Sequence, residues 1–237
     1  MADEITEKGT KMINNRTAQL IYLSMFCALA VLGAVASLGI FYINEGIRWQ
    51  FYVQFTNLSN YYCMIIGIME LIQTAKKKDD SYVRVAPTLK FIGVVMISLT
   101  FIVFNAALSS AREYYYNFRV QSVLFHIVIP IMYVVGWILF YEHGKNGRLR
   151  PTAPLIAVIA PFIYVVFIYI RAWIVDYDTN VPYLYPYFFL NPDMLGIGGV
   201  VKWIVLLLVF YIAMGYIYLG VDRYIGFVKQ KQKIERT

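Results

Sequence analysis

Between Lys202 and Asp222 the chain reads Trp203-Ile204-Val205-Leu206-Leu207-Leu208-Val209-Phe210-Tyr211-Ile212-Ala213-Met214-Gly215-Tyr216-Ile217-Tyr218-Leu219-Gly220-Val221, 19 residues without an acid or a base. A helix needs about 20 mostly apolar residues to cross the hydrocarbon core of a bilayer. Five more such windows follow from the spacing of the charges: Arg16 to Glu45 encloses 28 residues, Arg48 to Glu70 21, Lys90 to Arg112 21, Arg119 to Glu142 22 and Arg150 to Arg171 20. Strands of a membrane barrel alternate apolar and polar residues over about 10 positions, and runs such as Ile204–Ile212 do not alternate. The reading is an all-α, polytopic integral membrane protein with six transmembrane helices.

Composition agrees. Of 237 residues, 60% are hydrophobic and 15% charged, and the mean hydropathy is +0.59. Soluble domains carry about 25% charged residues, so an ordinary soluble enzyme is excluded, as is a disordered chain. Helices are expected at about 19–43, 52–73, 89–109, 119–141, 153–175 and 199–222. An N-terminal arm, 1–18, and a basic tail, 223–237, flank them, and an aromatic outer loop, 176–198, joins the last two. The first window is too long for a signal peptide and reads as a retained helix.

Basic residues set the orientation. The arm (Lys8, Lys11, Arg16), the loop after helix two (Lys76, Lys77, Lys78, Arg84, Lys90), the loop after helix four (Lys145, Arg148, Arg150) and the tail (Arg223, Lys229, Lys231, Lys233, Arg236) hold 16 of the 21 Lys and Arg. Arg48, Arg112 and Arg119 fall on the other side. Both termini are therefore expected in the cytoplasm. The net charge of +7 is then a topology signal that needs no nucleic-acid partner, with attraction to membrane lipids as its accompaniment.

Polar groups inside a bilayer are costly, so each is a functional candidate. Thr56, Asn57, Ser59 and Asn60 begin helix two, and Thr56, Ser59, Asn60 and Cys63 share a face. Asn105 nears the outer end of helix three, and Gln121, Ser122 and His126 open helix four. Arg171 ends helix five and Lys202 begins helix six. At 1.5 Å per residue these groups fall within roughly 10 Å of the outer boundary, in one polar layer. The inner halves are expected to hold little comparable. His143 reads as solvated, which leaves His126 as the embedded imidazole. A hydroxyl nucleophile needs an adjacent base, and a Thr56–His126 pair supplies one. Asn57, Asn60 and Asn105 are oxyanion or substrate-binding candidates, and Arg171 or Lys202 would hold a substrate carboxylate.

No metal site is expected, since Cys27, Cys63 and one embedded histidine fall short of a zinc ligand set. No cofactor motif appears either: Gly196-Ile197-Gly198-Gly199 does not match the dinucleotide fingerprint. A transporter or small-molecule binder using the same polar layer is the alternative, though no internal repeat supports it. A rhomboid-like protease ranks last, because Ser59, Ser109 and Ser110 lack glycine flanks.

Three elements resemble a known family. Phe55-Thr56-Asn57-Leu58-Ser59-Asn60 is similar to the F-T-x-x-S-N element of bacterial relatives of the androgen-induced membrane proteins. His126 and Pro130, followed by Trp137-Ile138-Leu139-Phe140, resemble its H-x-x-x-P and W-x-x-F element. Tyr185-Pro186-Tyr187-Phe188-Phe189-Leu190 resembles its Y-P-Y-x-F-L segment. The resemblance covers roughly residues 18–222 and departs at Gly136 and Asn191, where those relatives often have Asp. It implies six helices in a bacterial plasma membrane and hydrolysis of lipid-like esters, such as fatty acid esters of hydroxy fatty acids. Thr56 would be the nucleophile and His126 its base, with a lipid or fatty-acyl ester as the partner.

Overall fold

The computed structural model describes residues 11–41, 52–77, 87–108, 119–144, 149–175 and 184–234. Among these residues it is helical, without a strand. The helices are α1 (Arg16–Ser37), α2 (Phe55–Lys76), α3 (Pro87–Val103, prolonged by a π-helical turn Phe104–Leu108), α4 (Val120–Phe140), α5 (Ala153–Ile174) and α6 (Pro192–Ile234). Lys8, Glu45, Arg48, Lys78, Arg84, Ser109, Ser110, Arg112, Lys145, Arg148 and Arg236, which enter the sequence reading, lie outside the described residues.

Five helices are long and apolar enough to cross a membrane: α1, α3, α4, α5 and α6. The remaining one, α2, is as long as α1 at 22 residues but carries the polar run at its start. Its place explains its composition. It packs against both α1 and α3 and buries Thr56, Asn57, Ser59, Asn60, Glu70 and Thr74. Polar side chains there meet protein partners, whereas on a lipid-facing helix they would meet hydrocarbon. The apolar core behind it is built on Phe91, Val94, Ile97, Ile129 and Trp137, all fully buried.

Helix ends follow local chemistry. Asn15 caps α1, its Oδ1 accepting from the Ala18 N–H at 3.0 Å. Asn191 caps α6 in the same way, accepting from the Asp193 N–H at 2.9 Å, with Pro192 at the first helical position. Asp in that place would cap equally well. Gly196, at φ 65°, separates the first turn of α6 from its long span. The helix then runs on through Ile234, beyond the expected end at 222. At Gly136 a Cβ would stand 2.9 Å from the Tyr22 ring, so a side chain there requires that ring to shift.

Two expectations need correction. His143 is buried at 1% exposure, and its Nδ1 lies 2.9 Å from Asp222 Oδ1, with both side chains fully enclosed. Lys90 and Glu70 pair at 2.7 Å, also buried, and Lys90 Nζ sits 3.8 Å above the Tyr133 ring. The half of the bundle holding Arg16, Lys76, Lys90 and Arg223, here the basic end, is therefore not poor in polar groups. Charges that mark window edges along the chain are drawn inside where a neighbouring helix offers the opposite charge. The opposite half, with Val53, Arg171 and Tyr187, is the aromatic end.

Candidate functional site

The site is built around a defect in α4. Pro130 has no N–H for the His126 carbonyl four residues before it. The Ile129 N–H reaches back to Leu124 O in a π-helical turn over Leu124–Val128, so Phe125 O loses its helical donor as well. Two asparagines take up these carbonyls. Asn60 Nδ2 donates to Phe125 O at 3.0 Å and to Thr56 O at 2.8 Å. Asn105 Nδ2 donates to His126 O at 3.2 Å and to Phe101 O at 2.7 Å. An amide has two N–H hydrogens, and each asparagine spends both on carbonyls. The H-x-x-x-P spacing and the two asparagines form one device that joins α2, α3 and α4.

That device brings Thr56 and His126 onto adjoining helices. Asn60 spans from the Thr56 carbonyl to the carbonyl of Phe125, the neighbour of His126. His126 Nδ1 lies 2.9 Å from Ser122 O. A carbonyl only accepts, so Nδ1 carries the hydrogen and the lone pair resides on Nε2. Ser122 Oγ, 3.2 Å from Nδ1, completes that side of the ring. Phe104 stacks on the imidazole with centroids 3.4 Å apart and planes 15° from parallel. No hydrogen bond joins the Thr56 and His126 side chains among the described residues.

Thr56 faces a cavity of about 260 Å³, lined among others by Phe55, Leu99, Val103, Phe104, Val165 and Leu207. Among its other hydroxyls, Tyr164 donates to Val53 O at 3.0 Å and Tyr211 to Ala157 O at 3.2 Å. Ser59 donates to Thr56 O, so Thr100 Oγ1, 2.8 Å from Ser59 Oγ, is the donor of that pair. The Thr56 hydroxyl makes no hydrogen bond to protein among the described residues. It lies in the first turn of α2, where Gln54 provides no side-chain cap and the Thr56 N–H has no acceptor within the helix.

No family model, curated protein or solved structure matches the chain.

The other candidates separate. Asn57 is buried beside Thr56, and its Oδ1 accepts from Gln121 Nε2 at 3.3 Å. Arg171 is buried at the aromatic end and donates to Leu184 O at 3.1 Å. It holds the Tyr-Pro segment, whose Tyr187, Phe189 and Leu190 roof the cavity. Tyr169 adds a bond to Leu190 O at 2.9 Å. Lys202 is exposed and outside the cavity wall. Phe104 was not legible as a site residue, since one phenylalanine among 16 carries no mark.

Proposed function

We propose that this chain is an intramembrane hydrolase of lipid-like esters, with both termini cytoplasmic and the site towards the outer leaflet of a bacterial plasma membrane. The observation that carries this reading is the uncommitted Thr56 hydroxyl on the wall of an apolar cavity, one asparagine bridge from a histidine oriented with Nε2 as its base. The resemblance to the androgen-induced membrane proteins, carried by Thr56 and His126, supports the same assignment.

In this mechanism His126 Nε2 removes the Thr56 proton as Oγ1 attacks the ester carbonyl. The tetrahedral intermediate collapses, the C–O bond to the alcohol breaks, and His126 returns the proton to the departing alkoxide. Water then attacks the acyl-threonine with His126 again as base, releasing the acid and restoring the hydroxyl. The oxyanion would be served by the Thr56 backbone N–H in the first turn of α2, at the positive end of the helix dipole, with Asn57 beside it. Asn60 and Asn105 act as positioning residues.

A fluorophosphonate probe on purified protein tests this reading. Labelling of the parent that disappears in Thr56→Ala and His126→Ala, with folding retained, is the expected result. Equal labelling in both variants would overturn it. A lipid binder without turnover, the reading that the apolar lining also favours, predicts saturable lipid binding with no covalent adduct.

A further inference from the structure

The cavity has a side as well as a roof. α5 breaks after Ala157 and resumes at Ile159, with Pro161 removing the donor that Ala157 O would have received in a continuous helix. Tyr211 of α6 donates to that carbonyl at 3.2 Å. One turn further along α6, Gly215 allows Pro154 within a close approach, since a Cβ there would lie 3.0 Å from the Pro154 Cβ. The first segment of α5 is thus held to α6. Beyond the break the two helices part, and the cavity occupies the gap.

The gap is closed at both ends. Towards the basic end stand the Tyr211–Ala157 bond and the Pro154–Gly215 contact. Towards the aromatic end Trp203 packs edge-on to Phe188 at 5.5 Å and against Phe189 at 6.2 Å. The segment carrying those rings is fastened by Arg171 and Tyr169. Between these closures the walls are Val158, Phe162 and Val165 on one side and Ile204, Leu207 and Leu208 on the other. Phe162 is 64% exposed, and the flank around the gap carries the exposed apolar side chains Ile159, Ile163, Val205 and Leu206.

We propose that this cleft admits one hydrocarbon chain of a bilayer lipid sideways into the cavity. The walls between the closures are apolar, and the surface they open onto is apolar. Water-soluble ligands have no reason to cross that flank, while a hydrocarbon chain leaves one apolar medium for another and fills a void whose lining lacks dispersion partners. The roof is tied by hydrogen bonds, whereas the flank is bordered by side chains that rotamer changes can move. This inference concerns the occupant of the cavity and its route, and it deepens the hydrolase reading without needing turnover.

The test uses full-length Thr56→Ala protein in phosphatidylcholine vesicles containing a phospholipid with a diazirine-bearing acyl chain. Irradiation and peptide mapping locate the adducts. Expected are adducts on the cleft residues Val165 and Leu208 and on the deep wall at Leu99 and Val103. Leu208→Trp and, separately, Phe162→Trp plug the cleft, and each is expected to lower the deep-wall adducts about tenfold, the ratio set by roughly 1.4 kcal/mol of lost occupancy. Phe188→Trp, in the roof segment but outside the cavity lining, leaves them unchanged. Deep-wall adducts that are absent from the unplugged protein, or that persist in both plugged variants and vanish with Phe188→Trp, overturn the proposal. Since this protein has no nucleophile, either failure leaves the hydrolase reading standing, and a negative fluorophosphonate result leaves the cleft standing.

Discussion

The side chain of Asn105 in α3 donates to the backbone carbonyl of His126 in α4, at 3.2 Å. That carbonyl is the one Pro130 leaves open, so the two observations are a cause and its remedy. A fully buried carbonyl without a donor costs about 1–3 kcal/mol, and a half-buried one such as this sits at the low end. Asn105→Leu is therefore expected to destabilise the protein by about 1 kcal/mol, near the range found for polar contacts between membrane helices. In a Pro130→Ala background the backbone N–H returns, and the same substitution should cost less. Denaturant unfolding of the four proteins of this cycle measures the coupling. A coupling of zero would show that Asn105 does not serve the proline.

The Glu70–Lys90 pair should behave differently from a surface ion pair. At 2.7 Å and buried, each charge depends on the other, and removing one leaves a buried charge uncompensated. Lys90→Met is expected to cost about 3–5 kcal/mol, with partial recovery in the Glu70→Leu, Lys90→Met double variant. Unfolding midpoints of the three variants decide the matter. If the double variant is less stable than both single ones, the pair is not the unit argued here.

The helices were legible because they depend on one-dimensional pattern: charge spacing gives the apolar windows, and 1.5 Å per residue gives the order of groups along each helix. Thr56, Asn60, Asn105 and His126 stand out that way, and all four take part in hydrogen bonds to backbone carbonyls of α2 or α4. What pattern does not carry is pairing. Glu70, Lys90, His143 and Asp222 read as edges or loop residues, because nothing along the chain says that Lys90 meets Glu70 or that a histidine 79 residues from Asp222 lies 2.9 Å from it. Along the chain Asn60 and Asn105 read as oxyanion donors for a similar reason: only the defect at Pro130 shows where their amide hydrogens go.

The His143–Asp222 pair depends on a close approach of backbones. Gly144, at φ 98°, lies against Gly226 of α6, and a Cβ on Gly226 would collide with the Gly144 backbone. Backbone atoms cannot step aside as a flexible side chain can. Gly226→Ala is expected to push the residues after α4 away from α6 and to expose His143. Diethyl pyrocarbonate modification reads this out: His143 should be protected in the parent and become reactive in the variant. Equal protection in both would mean that the contact yields without opening the pair.

Phe104 stands where the proposed chemistry and the cavity meet. It lines the cavity and stacks on His126 at 3.4 Å, so the imidazole reaches Thr56 only as far as this ring permits. The stack also holds the imidazole in place, and the two effects oppose each other. Aromatic pairs contribute about 0.5–1.5 kcal/mol beyond their buried area, which bounds the ordering that is lost on truncation. Removing the ring opens a direct path between Nε2 and the cavity wall, and because no hydrogen bond now joins the two side chains, the path matters more than the ordering. Phe104→Ala is therefore expected to label faster with a fluorophosphonate than the parent, and Phe104→Trp more slowly. The reverse order would assign Phe104 to holding His126 rather than to covering it.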